Sequence, residues 1–519
     1  MLRPRTHARD RGLDQTPQSH FTEGRFGRLF RHLDAAEFAD RKNTPQEILG
    51  ALAAKMVSES RPKEGPIPAG YTYLGQFIDH DLTFDPVSSL QREIDPAAIV
   101  DYRTPRFDLD SLYGRGPADN PYLCREDGVR MRLGRQLTNR KQPLGYDVPR
   151  PEEPDPRSPS ADDSEKALIG DPRNDENVII AQLHALFLQF HNAITDKLLN
   201  ISRRVTFKEV QQQVRWHYQW LVLYDFLPRI IHPDIYQQVL PHVTNGKQRA
   251  LEPPLEPKSN VADHEPVLRF YKPEQEAYIP VEFSGAAYRF GHSMVRDKYR
   301  LNTNEDPGIG GPLVILSDDL KMSLGGFRSF RDDWGIEWGL FFEGLDKLKP
   351  QRASAIDTSL AAPLGSLPFP FAADMPSLAE RNLVRGWRLG LPSGQVLAGR
   401  LGEKPLTEDE LRVADNVNLS DISGAFRNNA PLWYYILAEA ASRGKGGTLG
   451  PVGSRIVMET FVGLMLEDGH SFLRQSPKWT PLGERFSLPV PERFGMIEFI
   501  EFAQGEENRI KIRSVASRF

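Results

Sequence analysis

The chain has 519 residues, 39% hydrophobic and 26% charged, an ordinary globular balance that excludes wholesale disorder. Its 65 Lys and Arg against 70 Asp and Glu leave a net charge of −5, so nothing marks nucleic acid as a bulk partner. A single cysteine, Cys124, excludes an intrachain disulfide and any cysteine-rich zinc or iron–sulfur centre.

Residues 1–20 (MLRPRTHARDRGLDQTPQSH) are basic and polar and lack the apolar segment of a secretory signal. They read as a flexible lead, and the expected location is the cytoplasm, or outside the cell by a non-classical route. Residues 71–86 fit a short helix and 101–114 an extended loop. Residues 141–166 and 242–266, rich in proline and charge, read as irregular exposed loops. A helix is expected over 172–199, with Asp171 as N-cap and Pro172 at its first position. Its Ile179, Leu183, Leu186, Phe187, Phe190 and Ile194 recur at three- and four-residue steps. Residues 208–231, 283–296, 377–389, 407–415, 429–442 and 452–468 also fit helices; 312–316 and 509–515 fit strands. No stretch approaches about 18 uninterrupted apolar residues, so no membrane span is expected. The apolar run 178–188 is broken by Gln182 and His184 and reads as core. The sum is a mainly α chain with very little β-structure, one large helical domain over 21–519. The long loops are poor boundaries, because the motifs on either side need each other.

Five windows carry the residue types of a reactive site. In 71–86 (YTYLGQFIDHDLTFDP), Gln76, Asp79 and His80 stand at i, i+3 and i+4 and share a helix face. Asp81 is turned about 100° away, so one helix can aim an imidazole and a carboxylate in different directions. In 101–114 (DYRTPRFDLDSLYG), Thr104, Asp108 and Asp110 alternate along a loop. Two carboxylates, a hydroxyl and intervening carbonyls suit a hard cation such as Ca2+, with Asp81 as a third carboxylate. The glycine and last-position Glu of an EF-hand loop are absent. In 170–176 (GDPRNDE), Arg173 and Glu176 share a face at a helix start, where an arginine opposes the helix dipole. In 284–302 (SGAAYRFGHSMVRDKYRLN), His292 follows Gly291, whose missing Cβ lets a flat group approach the backbone. In 381–394 (RNLVRGWRLGLPSG), Asn382 and Arg385 are three apart on a helix that Gly390 and Pro392 stop. Alone, each window also has a bland reading: a helix end with a satisfied core histidine, a polar turn, a structural histidine.

Together and in this order the windows resemble the animal-type haem peroxidases of the peroxidase–cyclooxygenase superfamily. G-Q-x-x-D-H-D at 75–81 resembles the family's distal-histidine motif, and T-x-x-x-D-x-D followed by S-L-Y-G resembles its calcium loop. G-D-x-R-x-x-E is similar to its catalytic-arginine segment, R-x-G-H to its proximal-histidine segment, and N-x-x-R before G-L-P to the helix that supports the proximal ligand. The resemblance covers roughly 65–475, and GRFGRLF at 24–30 resembles the lead-in of bacterial members. It implies a helical fold, haem b, a bound Ca2+, and reduction of hydrogen peroxide with oxidation of a small donor (halide, thiocyanate or phenol) through a ferryl haem.

Carried over by position, the resemblance implies His80 as the distal acid–base, Arg173 as the distal arginine and Gln76 as the distal glutamine near the pocket water or small anion. It implies His292 as the iron ligand, with Asn382 accepting a hydrogen bond from it, and Arg289 and Arg385 beside the cofactor. Asp79 and Glu176 match the carboxylates that can form ester bonds to the haem methyls. Asp81, Thr104, Arg106 (by its carbonyl), Asp108 and Asp110 match the calcium ligands. Asp110 stands where the family often has Ser, which adds charge. Asn177 stands where one branch has a Met linked to the haem, so that third link is absent.

Two other readings compete with this one. Fatty-acid dioxygenases of the same superfamily carry a tyrosine three residues before the proximal histidine; here that position is Arg289, with Tyr288 one further back. A haem-binding protein without turnover would need neither His80 nor Arg173. His184 and His191, seven apart on one helical face, read as structural, and Trp334, Trp338, Phe341 and Phe342 as core. Cys124 has no evident role.

Overall fold

The computed structural model describes residues 24–58, 62–84, 100–151, 166–243, 253–255, 265–274, 276–317, 319, 321–345, 347–367, 375–413, 417–483, 486 and 493–505. The expected flexible lead (1–20) and the expected strand at 509–515 lie outside them. The described chain is mainly helical. The helices that position the site are α1 (Pro45–Ser58), α2 (Gly70–Leu82), α3 (Val178–Ile201), α4 (Phe207–Leu221), α5 (Leu378–Arg388), α6 (Leu432–Ser442), α7 (Pro451–Glu467) and α8 (Met496–Ala503). Strands are short. Gly24–Gly27 pairs antiparallel with Val100–Asp101 and parallel with Ile279–Pro280, and Glu64–Pro68 pairs antiparallel with Arg352–Ser354.

α3 is the spine. By length and composition it could cross a membrane, but 94% of that apolar window is buried inside the fold. A helix apolar all round belongs in a core, and α2, α4 and α8 pack against it. Its N-cap is Asn177, whose side chain accepts from the amides of Ile179 (3.1 Å) and Ile180 (2.9 Å). Asp171, the expected cap, instead accepts from Arg173 N at the head of a separate 3-10 turn, Pro172–Asp175. The helix expected at 172 therefore begins at Val178. Helix α4 starts on a reciprocal Thr206–Glu209 capping box. It runs on through a π-helical turn, Val222–Phe226, which swings the buried Asp225 toward α2 and α8. That carboxylate accepts from Tyr71 Oη (2.9 Å), Arg229 Nη2 (2.7 Å) and Met496 N (2.8 Å), tying three elements together.

Two expected helices do not form. Over 283–296 the chain makes a short helix, Val281–Gly285, breaks at Ala286, and continues as a 3-10 turn, Ala287–His292. The Ser284 carbonyl accepts from the Arg289 side chain (2.7 Å), which takes the place of a helical amide. Over 407–415, Thr407 and Glu410 cap a single turn, and Val413 then bridges Val417. The proline-rich 141–166 stretch is in part a strand, Pro143–Tyr146, paired with Gln136–Thr138. The 312–316 strand is reduced to Leu313–Val314, paired with Lys298–Tyr299. The remaining helices fall within a few residues of expectation, and Trp334, Trp338, Phe341 and Phe342 are core.

The turn ending at His292 packs against α2, α6 and α7. The Trp433 indole of α6 donates to the Arg289 carbonyl (3.1 Å) and the Tyr288 hydroxyl to the Gly75 carbonyl of α2 (3.3 Å). Gly326 lies so close to the Asp175 carbonyl that a Cβ there would overlap it at 1.7 Å. Only glycine lets the 324–327 strip bond the Asp175, Glu176 and Val178 main chain and hold that segment in place.

Candidate active site

The period of α2 separates its polar residues as expected. Gln76 and Asp79 are half-buried, while His80 and Asp81 are buried in different surroundings. The Nδ1 of His80 lies 2.8 Å from Asn174 Oδ1, and Asn174 Nδ2 lies 3.0 Å from His184 Nδ1. An amide oxygen only accepts, so His80 Nδ1 carries the hydrogen and Nε2 keeps the lone pair. Burial and then Arg173 push the His80 pKa below its ordinary value, against the pull of Glu176, Asp171 and Asp79. Burial holds His184 neutral, with a pKa near 3.

Arg173 is held from behind. Its Nη2 donates to the His80 carbonyl (2.8 Å) and to Asp171 (2.7 Å), and its Nε donates to both Asp171 oxygens (3.1 Å each). Its guanidinium lies over the Phe84 ring, 4.4 Å from the centroid. Nη1 is the guanidinium nitrogen with no protein partner among the described residues. Arg103 approaches the same pair from the other side, donating Nε to the His80 carbonyl (3.2 Å) and Nη2 to Asp171. Burial raises the Asp171 pKa, but the two guanidiniums, Arg173 first, hold it well below the ordinary carboxylate value.

Gln76 Nε2 donates to Glu176 (3.3 Å), and Asn177 Nδ2 donates to Gln76 Oε1 (3.4 Å). Asp79 accepts from the Thr83 hydroxyl (3.1 Å). Glu176 acts electrostatically on both His80 and His292, so one carboxylate is within reach of both imidazoles.

His292 is neutral: burial, then Arg289, push its pKa to about 3. Its Nδ1 lies 2.8 Å from Asn382 Nδ2. The resemblance implies an Asn382 that accepts from this imidazole. Its oxygen is instead taken by Arg289 Nη1 (3.1 Å), a group that can only donate, and the amide NH2 is thereby turned to His292. A Cβ built on Gly291 meets nothing within 4 Å, so there is open space beside His292. Arg385 lies one turn beyond Asn382 on α5.

Asp81 faces the 104–110 loop. One carboxylate oxygen each from Asp81, Asp108 and Asp110 lie within 4.8 Å of one another. Thr104 Oγ1 donates to Asp108 (2.9 Å), and the main-chain N–H of the exposed Arg106 bonds the Thr104 carbonyl (2.8 Å). Leu109 adopts the left-handed conformation (φ 57°), costly for a residue with a Cβ, and aims its N–H at Asp81 (3.2 Å). Asp110 is 7% exposed, yet neither carboxylate oxygen receives a well-formed hydrogen bond. Burial pushes the Asp110 pKa up to about 7 and that of Asp81 well above the usual range, each reinforced by its acidic neighbours. Three carboxylates pressed together, two of them buried and one of those without a well-formed hydrogen bond, have the chemistry of a cation site.

Asn174, Asp171, Arg103 and His184 were not among the expected site residues. Asn174 and Asp171 do stand inside GDPRNDE, but nothing local marks them as partners of His80 and the arginines. His191, by contrast, is structural, bonded to Tyr113 Oη (2.9 Å) and the Val129 carbonyl (2.8 Å).

The model of the animal haem peroxidase family matches residues 88–477, a span that holds the acidic loop, Arg173, His292 and Asn382 and begins after His80. Among curated relatives, thyroid peroxidase of Rattus norvegicus is 29% identical over 171 residues, 32% of this chain and 16% of that protein. Peroxidasin of Drosophila melanogaster is 22% identical over 399 residues, 73% of this chain and 23% of that protein. The chain thus spans about a quarter or less of these two relatives. In fold it is similar to peroxidase A from Dictyostelium discoideum (TM-score 0.60, 16% identity, 92% of this chain and 95% of that one). It is also similar to the fatty acid alpha-dioxygenase of Oryza sativa (TM-score 0.58, 14% identity, 95% and 82%). With its helical fold, its ordered motifs and a family match over most of its length, this chain belongs to the animal haem peroxidase family.

Proposed function

We propose that the protein is a haem-dependent peroxidase that reduces hydrogen peroxide and oxidises a small donor such as a halide, thiocyanate or phenol. The observation that carries this reading is the His80–Asn174 hydrogen bond. It leaves a buried, neutral imidazole with its basic nitrogen, Nε2, unprotonated. Holding a cofactor needs no such base; moving a proton does.

The residues fit haem b. His292 is a neutral imidazole beside open space, Asp79 and Glu176 are the carboxylates for ester bonds, and Arg289 and Arg385 supply positive charge nearby. Ligation through Nε2 requires the His292 proton on Nδ1, so Asn382 must then present its oxygen and Arg289 release it. When bound, haem supplies the two electrons that break the O–O bond and recovers them from the donor. His80 Nε2 takes the proton of the attacking peroxide oxygen and returns it to the departing one, which leaves as water. Arg173 cannot deprotonate, and its Nη1 stabilises the negative charge that develops as the bond breaks. Gln76, pinned by Glu176 and Asn177, holds pocket water or a small anion.

We further propose Ca2+ bound by Asp81, Asp108, Asp110, Thr104 and the Arg106 carbonyl. Because Asp81 follows His80, this ion fixes the end of α2 that carries the acid–base.

The likeness in fold to a fatty acid alpha-dioxygenase motivates a second reading. Arg289 occupies the position where dioxygenases have their tyrosine, and Tyr288 is enclosed by Phe283 and Phe461 with its hydroxyl on Gly75 O. Guaiacol oxidation by peroxide, set against oxygen uptake on linoleic acid, separates the two. Oxygen uptake without guaiacol turnover would replace the peroxidase reading with the dioxygenase one.

A further inference from the structure

We infer that Arg103 is the built-in countercharge of the acidic loop: it offsets the third carboxylate, Asp110, and so sets how strongly the loop holds a divalent cation. The inference rests on reading Asp81, Asp108 and Asp110 as a cation site.

The Arg103 side chain is 11% exposed, and its Nε lies 3.4 Å from Asp110 Oδ1 and 3.2 Å from the His80 carbonyl. Its Nη2 pairs with Asp171, and Phe84 covers its face at 5.1 Å. A guanidinium so enclosed cannot leave for solvent or lose its proton, so its charge is a fixed part of the cluster. With a divalent cation holding the loop carboxylates ionised, Asp81, Asp108, Asp110 and Asp171 carry four negative charges, and Arg103 and Arg173 two positive ones. One divalent cation cancels the remainder. The Asp101 carboxyl accepts from Arg103 N (3.2 Å) and has its pKa pushed up to about 8 by burial, with no loop carboxylate among the causes. Among the described residues, Arg215 bonds the loop at the main-chain carbonyl of Asp108.

Arg103 therefore does two opposed things. It relieves the repulsion among the carboxylates when no cation is bound, and it repels a cation that is. A residue serving only to pack the loop would weaken both states together when removed.

The test compares wild type, Arg103→Met, Asp110→Asn and the double variant as haem-loaded protein. The probe is Ca2+ alone, its dissociation constant read by chelator competition, with the melting temperature of the chelated form as second readout. Arg103→Met is expected to bind Ca2+ about tenfold tighter or more, and to melt lower once stripped. Asp110→Asn is expected to bind about tenfold weaker or worse. The double variant should return to within about threefold of wild type in affinity and regain part of the stripped-state melting temperature, because one charge of each sign is gone while Asp171 keeps one guanidinium. If Arg103→Met does not fold without Ca2+, its rescue by Asp110→Asn carries the result. The inference is overturned if Arg103→Met folds and binds Ca2+ no more tightly than wild type, if the stripped double variant melts as low as or lower than stripped Arg103→Met, or if it fails to fold. Wild type without Ca2+ would overturn the cation reading and this inference with it; wild-type Ca2+ binding with an Arg103→Met variant that binds no tighter overturns the inference alone.

Discussion

The Nδ1 of His80 lies 2.8 Å from the amide oxygen of Asn174, a residue 94 positions along the chain. The other end of that amide faces His184 Nδ1 (3.0 Å), so Asn174 bridges the two imidazoles. The pair fixes which nitrogen of His80 can act as a base.

Asn174→Leu removes the acceptor while keeping the volume. Turnover at limiting peroxide should fall about tenfold to a hundredfold, part of the 10²–10⁴ that a positioned acid–base contributes. Asn174→Asp, which keeps an acceptor oxygen, should lose less. Steady-state peroxide titrations of the two variants check this, and a Leu variant within threefold of wild type would remove Asn174 from the account.

Arg173→Ala should retain haem but lose about 10²–10³ in turnover, the usual cost of removing one charge stabiliser from a developing transition state. It should also melt lower, because buried Asp171 is left with Arg103 as its single strong partner. Activity within threefold of wild type would contradict the catalytic role, whatever the stability.

The faces of α2 were legible in the sequence because helical period alone separates His80 from Asp81. The acidic loop was legible because its ligand types alternate within seven positions. The Asn174–His80 and Arg103–Asp171 contacts were not, since each joins segments far apart in the chain with no local pattern to announce it. The same reason explains the missing helix at 283–296. Its apolar spacing is helical, but the Arg289 side chain takes the Ser284 carbonyl and reaches on to Asn382 of α5. That reach also turned the Asn382 amide opposite to expectation.

Asp108→Ala should lower calcium content, haem occupancy and turnover together, because Asp81 links the loop to the turn of α2 that carries His80. Metal analysis, the Soret absorbance and donor oxidation on one preparation check the three. Full activity with unchanged calcium would show that the loop is not the cation site.

Glu439 of α6 predicts a pH effect away from the site. Its Oε2 accepts from Val452 N (2.9 Å) and Gly453 N (3.4 Å) at the start of α7. Arg443 Nη1 stays 4.0 Å from Oε1. Burial raises its pKa from 4.5 to about 7. A carboxyl raised on folding adds stability below its unfolded value and loses it as pH climbs through the folded one. Between pH 5 and 8 wild type should therefore lose stability relative to Glu439→Gln, by on the order of 3 kcal/mol at most. Melting temperatures of the two proteins across that range decide it; a constant difference would mean that Glu439 does not titrate there.

The central claim, a haem held by His292, is tested most directly by the haem content of purified His292→Ala beside wild type, measured as the pyridine haemochrome. About one haem per wild-type chain and almost none in the variant is the predicted result, since the variant lacks the imidazole proposed to hold the iron. A variant that keeps the wild-type haem content and oxidises donor at the wild-type rate would contradict it.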